Sequence, residues 1–264
     1  MIEVFTFHQG ELPLLISVPH DGGHLPNDLK VRMTSAGIAL PDTDWHVAEL
    51  YDFARDLGAA MLIANYSRYV VDLNRSAADE ALYPGQLATG LCPLQTFAGD
   101  AIYSSSGITD EEIAGRVARY WQPYHDKIEA TLAAMHSRHG YALLWDAHSI
   151  ASSVPRLFDG ELPELNIGTN DGRSCAPAIA DAVVKTANAG SYGVAVDARF
   201  KGGYITRHYG EPDDGTHAIQ LEIAQRAYMD ERTTAFDVAK AGRLRSLLRR
   251  LLQSFCDSAL RHAK

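Results

Sequence analysis

The chain has 264 residues with a hydrophobic fraction of 46% and a charged fraction of 22%, which is the composition of a folded globular protein and excludes a disordered one. Its formal net charge of −9 argues against nucleic acid or an anionic membrane as the partner, because both need basic patches. No Pro/Gly/Ser-rich linker divides the sequence. We therefore expect one domain, residues 1–264, and an acidic substrate would need a local cationic pocket of a few arginines.

The three cysteines are far apart and form no CxxC pair, which is typical of a reducing compartment rather than of a disulfide framework. The first residues lack the basic and apolar regions of a signal peptide. No apolar run reaches the ~18 residues that a membrane helix needs. These patterns predict a cytoplasmic protein, and they do not predict its oligomeric state.

Apolar runs and helical patterns alternate in the first part of the chain. The run at 12–18 predicts a strand that ends in Pro-His-Asp-Gly-Gly. Helical spacing over 44–57 predicts a helix that stops at Gly58, and two further strands are predicted over 59–64 and 69–73. The alternation indicates an α/β protein.

An irregular stretch rich in Gly and Pro covers 77–106 and is typical of a binding loop or lid. Thr109 and the acids after it then predict the start of a helix that runs to about His139. A strand is predicted over 141–145. The remaining elements are a helix over 174–189, strands over 192–196 and 217–223, and an amphipathic helix from about Ala235.

This order predicts a three-layer sandwich with a mixed, mostly parallel sheet and helices on both faces. In such folds, ligands bind beyond the carboxyl ends of the strands. Several polar residues follow predicted strands directly, and they are the candidates for a site.

Two histidines at predicted strand ends are the first candidates for metal ligands. His148 lies in WDAHS and His20 in SVPHDGGH. A histidine there can face a cleft while it is held rigidly, although a structural histidine would show the same pattern. Asp146 could orient a ligand or contact the substrate. His24 could be a substrate contact or an exposed bystander.

A third ligand is needed, because zinc hydrolases commonly use two histidines and one carboxylate. The Asp42-Thr43-Asp44 cluster could supply it. We favour Asp44, with Asp42 or His24 as alternatives. Asp44 also fits the N-cap of the helix predicted after it, so the two roles compete.

Arginines in two segments could hold substrate carboxylates. Arg75 follows Asn74 in the segment DLNR. Its guanidinium can bind a carboxylate through two hydrogen bonds, and the Asn74 amide can donate another. The alternative is that Arg75 forms a salt bridge with Asp72. The segment KGGYITRHYG predicts a mobile substrate loop that contains Gly203 and Arg207, although a Gly-rich connection with a surface arginine would show the same pattern.

Glu222 lies in the apolar run HAIQLEI, where a carboxylate is costly unless it is paired or functional. If Gln220 and Glu222 share one face of a strand, Leu221 and Ile223 pack on the other. Beside a metal-bound water, Glu222 would serve as a general base.

The segments SVPHDGG, DTD, VVDLNR, WDAHS, PRLFDGELPELNIGT, KGGYITRHYG and HAIQLEIAQRAYM together resemble the N-formylglutamate amidohydrolase family, from about Leu14 to Met229. The sequence also resembles aspartoacylase and zinc carboxypeptidases more distantly. The segment DLNR resembles their carboxylate-binding Asn-Arg pair, and DAH resembles the segment that carries their second histidine ligand. Glu222 is similar to their catalytic glutamate. Those enzymes carry His-x-x-Glu. Here Asp21-Gly22-Gly23 follows His20, so the third ligand must come from elsewhere.

The resemblance implies hydrolysis of N-formyl-L-glutamate to formate and L-glutamate in histidine degradation, with one zinc ion, or another divalent metal, per chain. Alternatives are a deacylase or carboxypeptidase of the same fold for another N-acyl acidic amino acid, and a non-catalytic amino-acid-binding relative. The expected residues are Glu222 as base, His20, Asp44 and His148 as metal ligands, and Asn74, Arg75, Asp146, Gly203 and Arg207 as substrate contacts.

Overall fold

A computed structural model describes residues 2–80, 89–105 and 107–263. Its main strands are β1 (Phe5–His8), β2 (Leu14–Val18), β3 (Ala60–Ala64), β4 (Ala142–Ile150), β5 (Leu165–Gly168), β6 (Val194–Val196) and β7 (Thr216–Ala224). Its helices are α1 (Asn27–Lys30), α2 (Ser35–Ala39), α3 (Val47–Leu50), α4 (Asp110–Arg116), α5 (Gln122–His139), α6 (Pro177–Asn188), α7 (Tyr204–Tyr209) and α8 (Val238–His262). A π-helical turn, Val117–Trp121, joins α4 to α5, and β8 (Met229–Asp230) and β9 (Ala235–Phe236) form a small hairpin.

The seven strands form one sheet in the order β1-β3-β2-β4-β7-β5-β6. The four central strands are parallel to one another, as are β5 and β6, whereas β1 pairs with β3 and β5 with β7 in antiparallel fashion. The predicted mixed, mostly parallel sheet is confirmed.

Each face of the sheet carries its own hydrophobic core. Because side chains alternate along a strand, Leu143 and Trp145 of β4 pack with α6 and α8, while Leu144 packs with α5. The predicted three-layer sandwich is confirmed. None of the described helices combines the length and the apolarity that crossing a bilayer requires.

Two predicted elements are wrong. Residues 44–57 form only the short helix α3 and the 3₁₀ turn Asp52–Ala54. Residues 69–73 form turns rather than a strand, because β3 is already paired on both sides. The buried carboxylate of Asp72 accepts hydrogen bonds from two side chains and from the backbone N–H of Asn74. The β-branched residues there pack into the core without joining the sheet.

Other boundaries differ in ways that affect the site. The strand predicted over 141–145 continues to Ile150, so Asp146 and His148 lie inside β4 rather than after it. The predicted loop at 201–210 contains α7. The lid predicted over 77–106 includes residues 81–88 and 106, which lie outside the described residues. The sequence patterns did not reveal β1 or β5.

Candidate active site

Four polar side chains share one face of the two central strands at their carboxyl ends. Asp146 pairs with Gln220 and His148 pairs with Glu222 in the register of β4 and β7. Leu221 and the other alternate residues of β7 point into the opposite core, as the sequence predicted. The pairing of β2 with β4 stops at Asp146, so the last part of β4 borders a cleft.

A buried histidine–aspartate–histidine cluster lies at this edge. One potential ligand atom from each of His20, Asp44 and His148 lies within 4.8 Å of the others. The Nδ1 atom of His148 is 2.9 Å from the Oδ2 atom of Asp44, and that of His20 is 3.8 Å from the same oxygen. The two alternative ligands lie elsewhere: Asp42 accepts a hydrogen bond from a tyrosine hydroxyl, and the ring of His24 packs on Tyr66.

A carboxylate lies near the Nε2 atom of each histidine. The Nε2 atom of His20 lies 2.8 Å from Oδ1 of Asp72, and that of His148 lies 3.2 Å from Oδ1 of Asp146. A histidine that binds a metal through one ring nitrogen usually donates the other N–H to such a group. Both rings direct Nδ1 toward Asp44. Nε2 of His20 is hydrogen-bonded to Asp72, whereas the hydrogen bond at Nε2 of His148 comes from the Asn74 amide nitrogen, and Asp146 lies beside that nitrogen as a negative charge.

The residues present fit a divalent cation. The Nδ1 atom of His20 is buried and makes no hydrogen bond to any described residue. Such an atom is costly in a protein interior unless a ligand satisfies it. The surrounding carboxylates of Asp44, Asp72 and Asp146 are almost fully buried, and the buried guanidinium of Arg68 pairs with the first two at 3.7 and 2.6 Å. The excess of negative charge favours a cation.

The pKa values of the cluster follow from burial and these charges. Burial and the Arg68 guanidinium lower the pKa of His20. Burial alone would raise the pKa of Asp72, but Arg68 and His20 hold it well below its usual value. Burial alone would lower the pKa of His148, but Asp146 and Asp44 raise it well above its usual value.

Glu222 is the remaining carboxylate at this edge. It lines the same pocket as the cluster, and burial raises its pKa to about 8, with His148 acting in the opposite direction. Its side chain receives one long contact of 3.5 Å from the Gln220 amide. Glu222 is therefore a weakly paired, proton-accepting group one strand away from His148.

The helix that follows Asp44 is capped by a residue from a distant segment. Asp21 accepts hydrogen bonds from the backbone N–H groups of His46 and Ala48 at 2.9 and 3.0 Å, and so caps α3. The N-cap role considered for Asp44 is therefore wrong. Its carboxylate instead accepts bonds from His148 and from the N–H of Ser149.

Asn74 and Asp146 belong to the network that supports His148. The Asn74 amide nitrogen lies 3.1 Å from Oδ2 of Asp146 and 2.8 Å from Nε2 of His148. Its oxygen accepts from the N–H of Ile205. Gly203 lies against this amide so closely that a Cβ atom there would come within 2.3 Å of it. Substrate contact by Asn74, Asp146 and Gly203 stays a prediction, and their described contacts indicate positioning.

Two half-buried arginines line the pocket beside the cluster. Arg75 donates from Nε to the carbonyl of Thr89 at 2.9 Å, and Arg199 donates from Nε to the carbonyl of Leu157 at 3.0 Å. The sequence also allowed a salt bridge between Arg75 and Asp72. Among the described residues, the Asp72 carboxylate instead pairs with the guanidinium of Arg68. Arg207 lies outside the described pocket wall and donates to Gly202, so its substrate role stays a prediction.

Sequence reasoning missed three residues of the site. Arg68 and Asp72 form a buried pair four residues apart, a spacing that could have indicated it. Arg199 comes from the segment after β6 and carries no local signal. Its place depends entirely on the fold.

The fold and site together define an α/β protein whose buried His–Asp–His cluster could hold a metal ion beside an acid of raised pKa. The family model of N-formylglutamate amidohydrolase matches residues 12–229. The chain belongs to the N-formylglutamate amidohydrolase family.

Its relatives agree along most of the length. The chain is 48% identical to an N-formylglutamate deformylase of Pseudomonas aeruginosa, over 96% of each chain, and 48% identical to one of Pseudomonas putida, over 88% of this chain and 87% of the other. A crystal structure of N-formylglutamate amidohydrolase from Ralstonia eutropha superposes with a TM-score of 0.81 and 26% identity, covering 98% of this chain and 97% of that one. An Agrobacterium tumefaciens protein shares the fold at a TM-score of 0.70 and 20% identity, covering 96% of both chains.

Proposed function

We propose that the chain hydrolyses N-formyl-L-glutamate to formate and L-glutamate, with one zinc ion held by His20, Asp44 and His148. The observation that carries this proposal is the register pairing of Glu222 with His148, which puts a proton-accepting carboxylate beside the cluster in one pocket. The names of the relatives at 48% identity supply the substrate. As the family resemblance implies, we assign the reaction to histidine degradation in the cytoplasm.

The donor set supports zinc as the cation. Two imidazole nitrogens and one carboxylate form a common set for catalytic zinc, which keeps a position open for water or substrate. Other divalent metals also bind such ligands, so the metal must be tested. When bound, zinc would polarise the formyl carbonyl and lower the pKa of its water toward ~7.

Glu222 is the residue that moves the proton. It accepts a proton from the attacking water as the water oxygen bonds to the formyl carbon. It then gives that proton to the amide nitrogen as the C–N bond breaks, so formate and the free amine of glutamate leave. The burial that raises its pKa to about 8 makes it a stronger base than an exposed glutamate.

Arg75 and Arg199 would hold the two carboxylates of the substrate. Both line the pocket, and both already use Nε for a backbone carbonyl. Those bonds fix the plane of each guanidinium, and such a plane can meet a carboxylate with two parallel hydrogen bonds. Two cations thus explain how an acidic protein with a net charge of −9 binds a dianion.

The experiment is a substrate series with the zinc-loaded protein. We expect N-formyl-L-glutamate to be hydrolysed with a higher kcat/KM than N-acetyl- or N-succinyl-L-glutamate. Preference for a larger acyl group would favour the related deacylase function instead, and failure to hydrolyse any of them would contradict the proposal.

A second arm tests the arginines with N-formyl-L-glutamine, which lacks the γ-carboxylate. Replacing either arginine with alanine should raise KM for N-formylglutamate on the order of 10- to 100-fold, the value of a lost charged hydrogen bond. The variant that lacks the arginine for the γ-carboxylate should show nearly equal KM values for N-formyl-L-glutamine and N-formyl-L-glutamate. If neither variant changes KM, the assignment of these arginines is wrong.

A further inference from the structure

The turn that carries Asn74 and Arg75 is held by two ring N–H groups of the helix behind it. Trp121 donates from Nε1 to the carbonyl of Arg75 at 2.9 Å. Nε2 of His125 lies 2.9 Å from the carbonyl of Leu73. A carbonyl can only accept, so this ring nitrogen carries the proton. The two donors therefore fix the carbonyl groups on either side of Asn74.

The two rings form one rigid unit. Trp121 and His125 are four residues apart, so they lie on the same side of the helix, and their rings stack with centroids 3.7 Å apart and planes 23° apart. The second ring nitrogen of His125 is 3.0 Å from the hydroxyl of Tyr209, which donates to it. Burial lowers the pKa of His125 to about 3, so the ring stays neutral at physiological pH.

An irregularity of the helix accompanies this arrangement. Trp121 is the last residue of the π-helical turn, and the N–H of Gln122 bonds to the carbonyl of Val117, five residues back. Pro123 follows and has no N–H for the carbonyl of Arg119, so a regular α-helix would lose a bond at this point. Single π-helical turns within α-helices are frequently found at functional sites.

The opposite side of the turn is also fixed. The N–H of Tyr204 donates to the carbonyl of Asn74 at 3.3 Å, so three consecutive carbonyl groups, from Leu73 to Arg75, are each held by a donor from another element. The side chain of Arg75 then reaches the pocket and that of Asn74 reaches His148. The Asn74 side chain is also held by Asp146 and by the N–H of Ile205, whereas Trp121 bonds to the carbonyl of Arg75 itself, so loss of the Trp121 bond displaces Arg75 more than Asn74.

We propose that Trp121 and His125 are positioning residues for substrate binding: through the carbonyls of Arg75 and Leu73 they fix the backbone from which the Arg75 side chain reaches the pocket. The inference rests on the proposed function, in which Arg75 holds a substrate carboxylate. Neither ring touches the reacting atoms. Their effect is on KM, because a misdirected guanidinium weakens binding of the carboxylate while the metal cluster and Glu222 stay in place.

The test uses the full-length, zinc-loaded protein and the Trp121→Phe variant, which keeps a stacking ring and removes one N–H. We expect KM for N-formyl-L-glutamate to rise about tenfold, with kcat changed less than threefold and zinc content unchanged. Trp145→Phe is the matched control, because it removes a Trp N–H bond of 3.0 Å to the Tyr51 hydroxyl in the opposite core. An unchanged KM in Trp121→Phe, or an equal rise in the control, would overturn the proposal.

A pair of His125 variants adds a rescue arm. Glutamine can place an N–H near the position of the imidazole Nε2 atom, and leucine cannot. We expect His125→Gln to keep KM within about threefold of the parent and His125→Leu to raise it about tenfold. Equal KM values in the two variants would contradict a role for this donor.

Hydrogen–deuterium exchange of residues 72–76 separates this inference from the proposed function, because it needs no substrate. The amides of Asn74 and Arg75 bond to Asp72, and they should exchange faster in Trp121→Phe than in the parent or in Trp145→Phe. If the parent fails to hydrolyse N-formylglutamate, the proposed function is wrong, and exchange still decides whether the pair fixes the turn. Unchanged exchange would overturn the positioning role.

Discussion

His148 and Glu222 are register partners on adjacent parallel strands, so a candidate metal ligand and a candidate base project from the same face one strand apart. This relationship depends only on backbone pairing inside the sheet. It does not rely on a loop or on a mobile side chain. Both candidate groups are therefore positioned by strands of the sheet rather than by loops.

The proposed role of Glu222 as the base predicts that its replacement slows only the chemical step. Glu222→Gln keeps the shape of the side chain and removes the base, so kcat should fall on the order of 10²- to 10⁴-fold while zinc still binds. Steady-state kinetics with metal analysis measures both quantities. Glu161→Gln, at a largely exposed side chain, is the control and should behave as the parent. A Glu222→Gln variant with normal kcat would show that the base lies elsewhere.

The variant Asp146→Asn distinguishes two possible roles of Asp146, which are orienting the metal ligand His148 and contacting the substrate. If Asp146 orients His148 through Nε2, the variant should bind zinc 10- to 100-fold more weakly, with KM near the parent value once zinc is saturating. Competition with a chromogenic chelator gives the zinc affinity. A raised KM with unchanged zinc affinity would restore the substrate-contact role expected from the sequence.

Gly203→Ala should disturb the site without touching a reactive group. The added Cβ atom would lie 2.3 Å from the amide nitrogen of Asn74, which must then move. We expect kcat/KM to fall on the order of 10- to 100-fold, since small displacements at a site are costly. Gly115→Ala is the matched control, because its Cβ meets no described heavy atom within 4 Å and helical alanine is favoured. Equal activity in the two variants would contradict the close approach.

Metal binding should release protons at pH 7. Asp146 and Asp44 raise the pKa of His148, and burial raises that of Glu222 to about 8, so both groups hold protons before the metal binds. A bound cation displaces the proton from a ligand nitrogen and lowers the pKa of a nearby acid. Zinc affinity should therefore fall as the pH falls. Calorimetry in buffers of different ionisation enthalpy should show about one proton or more released per zinc, whereas a buffer-independent heat would contradict this.

The layered fold and much of the site could be predicted from the sequence because they depend on local patterns. The apolar runs at β2, β4 and β7 indicate buried parallel strands, and the polar residues at their ends follow from that order. Glu222 stood out because a carboxylate within such a run is costly. These signals are carried by residues next to one another in the chain.

The missing parts depend on contacts between distant segments. Asp21 caps α3 from 25 residues away, and no local pattern shows that Asp44 is thereby left for the cluster. Arg199 lines the pocket from the segment that follows β6, far along the chain from the other pocket arginines. The turn at Leu73 looked like a strand because its β-branched neighbours have strand propensity, although the sheet has no free edge there. In all three examples the structure is determined by contacts between distant segments of the chain.

We propose that His20, Asp44 and His148 hold a zinc ion on which hydrolysis of N-formyl-L-glutamate depends. The most direct measurement is metal content and formate release on the same sample, before chelation, after chelation and after zinc is restored. We predict about one zinc per chain, loss of formate release with the metal, and recovery with zinc in the parent but not in His20→Ala. Full activity in the chelated, metal-free protein would contradict the account.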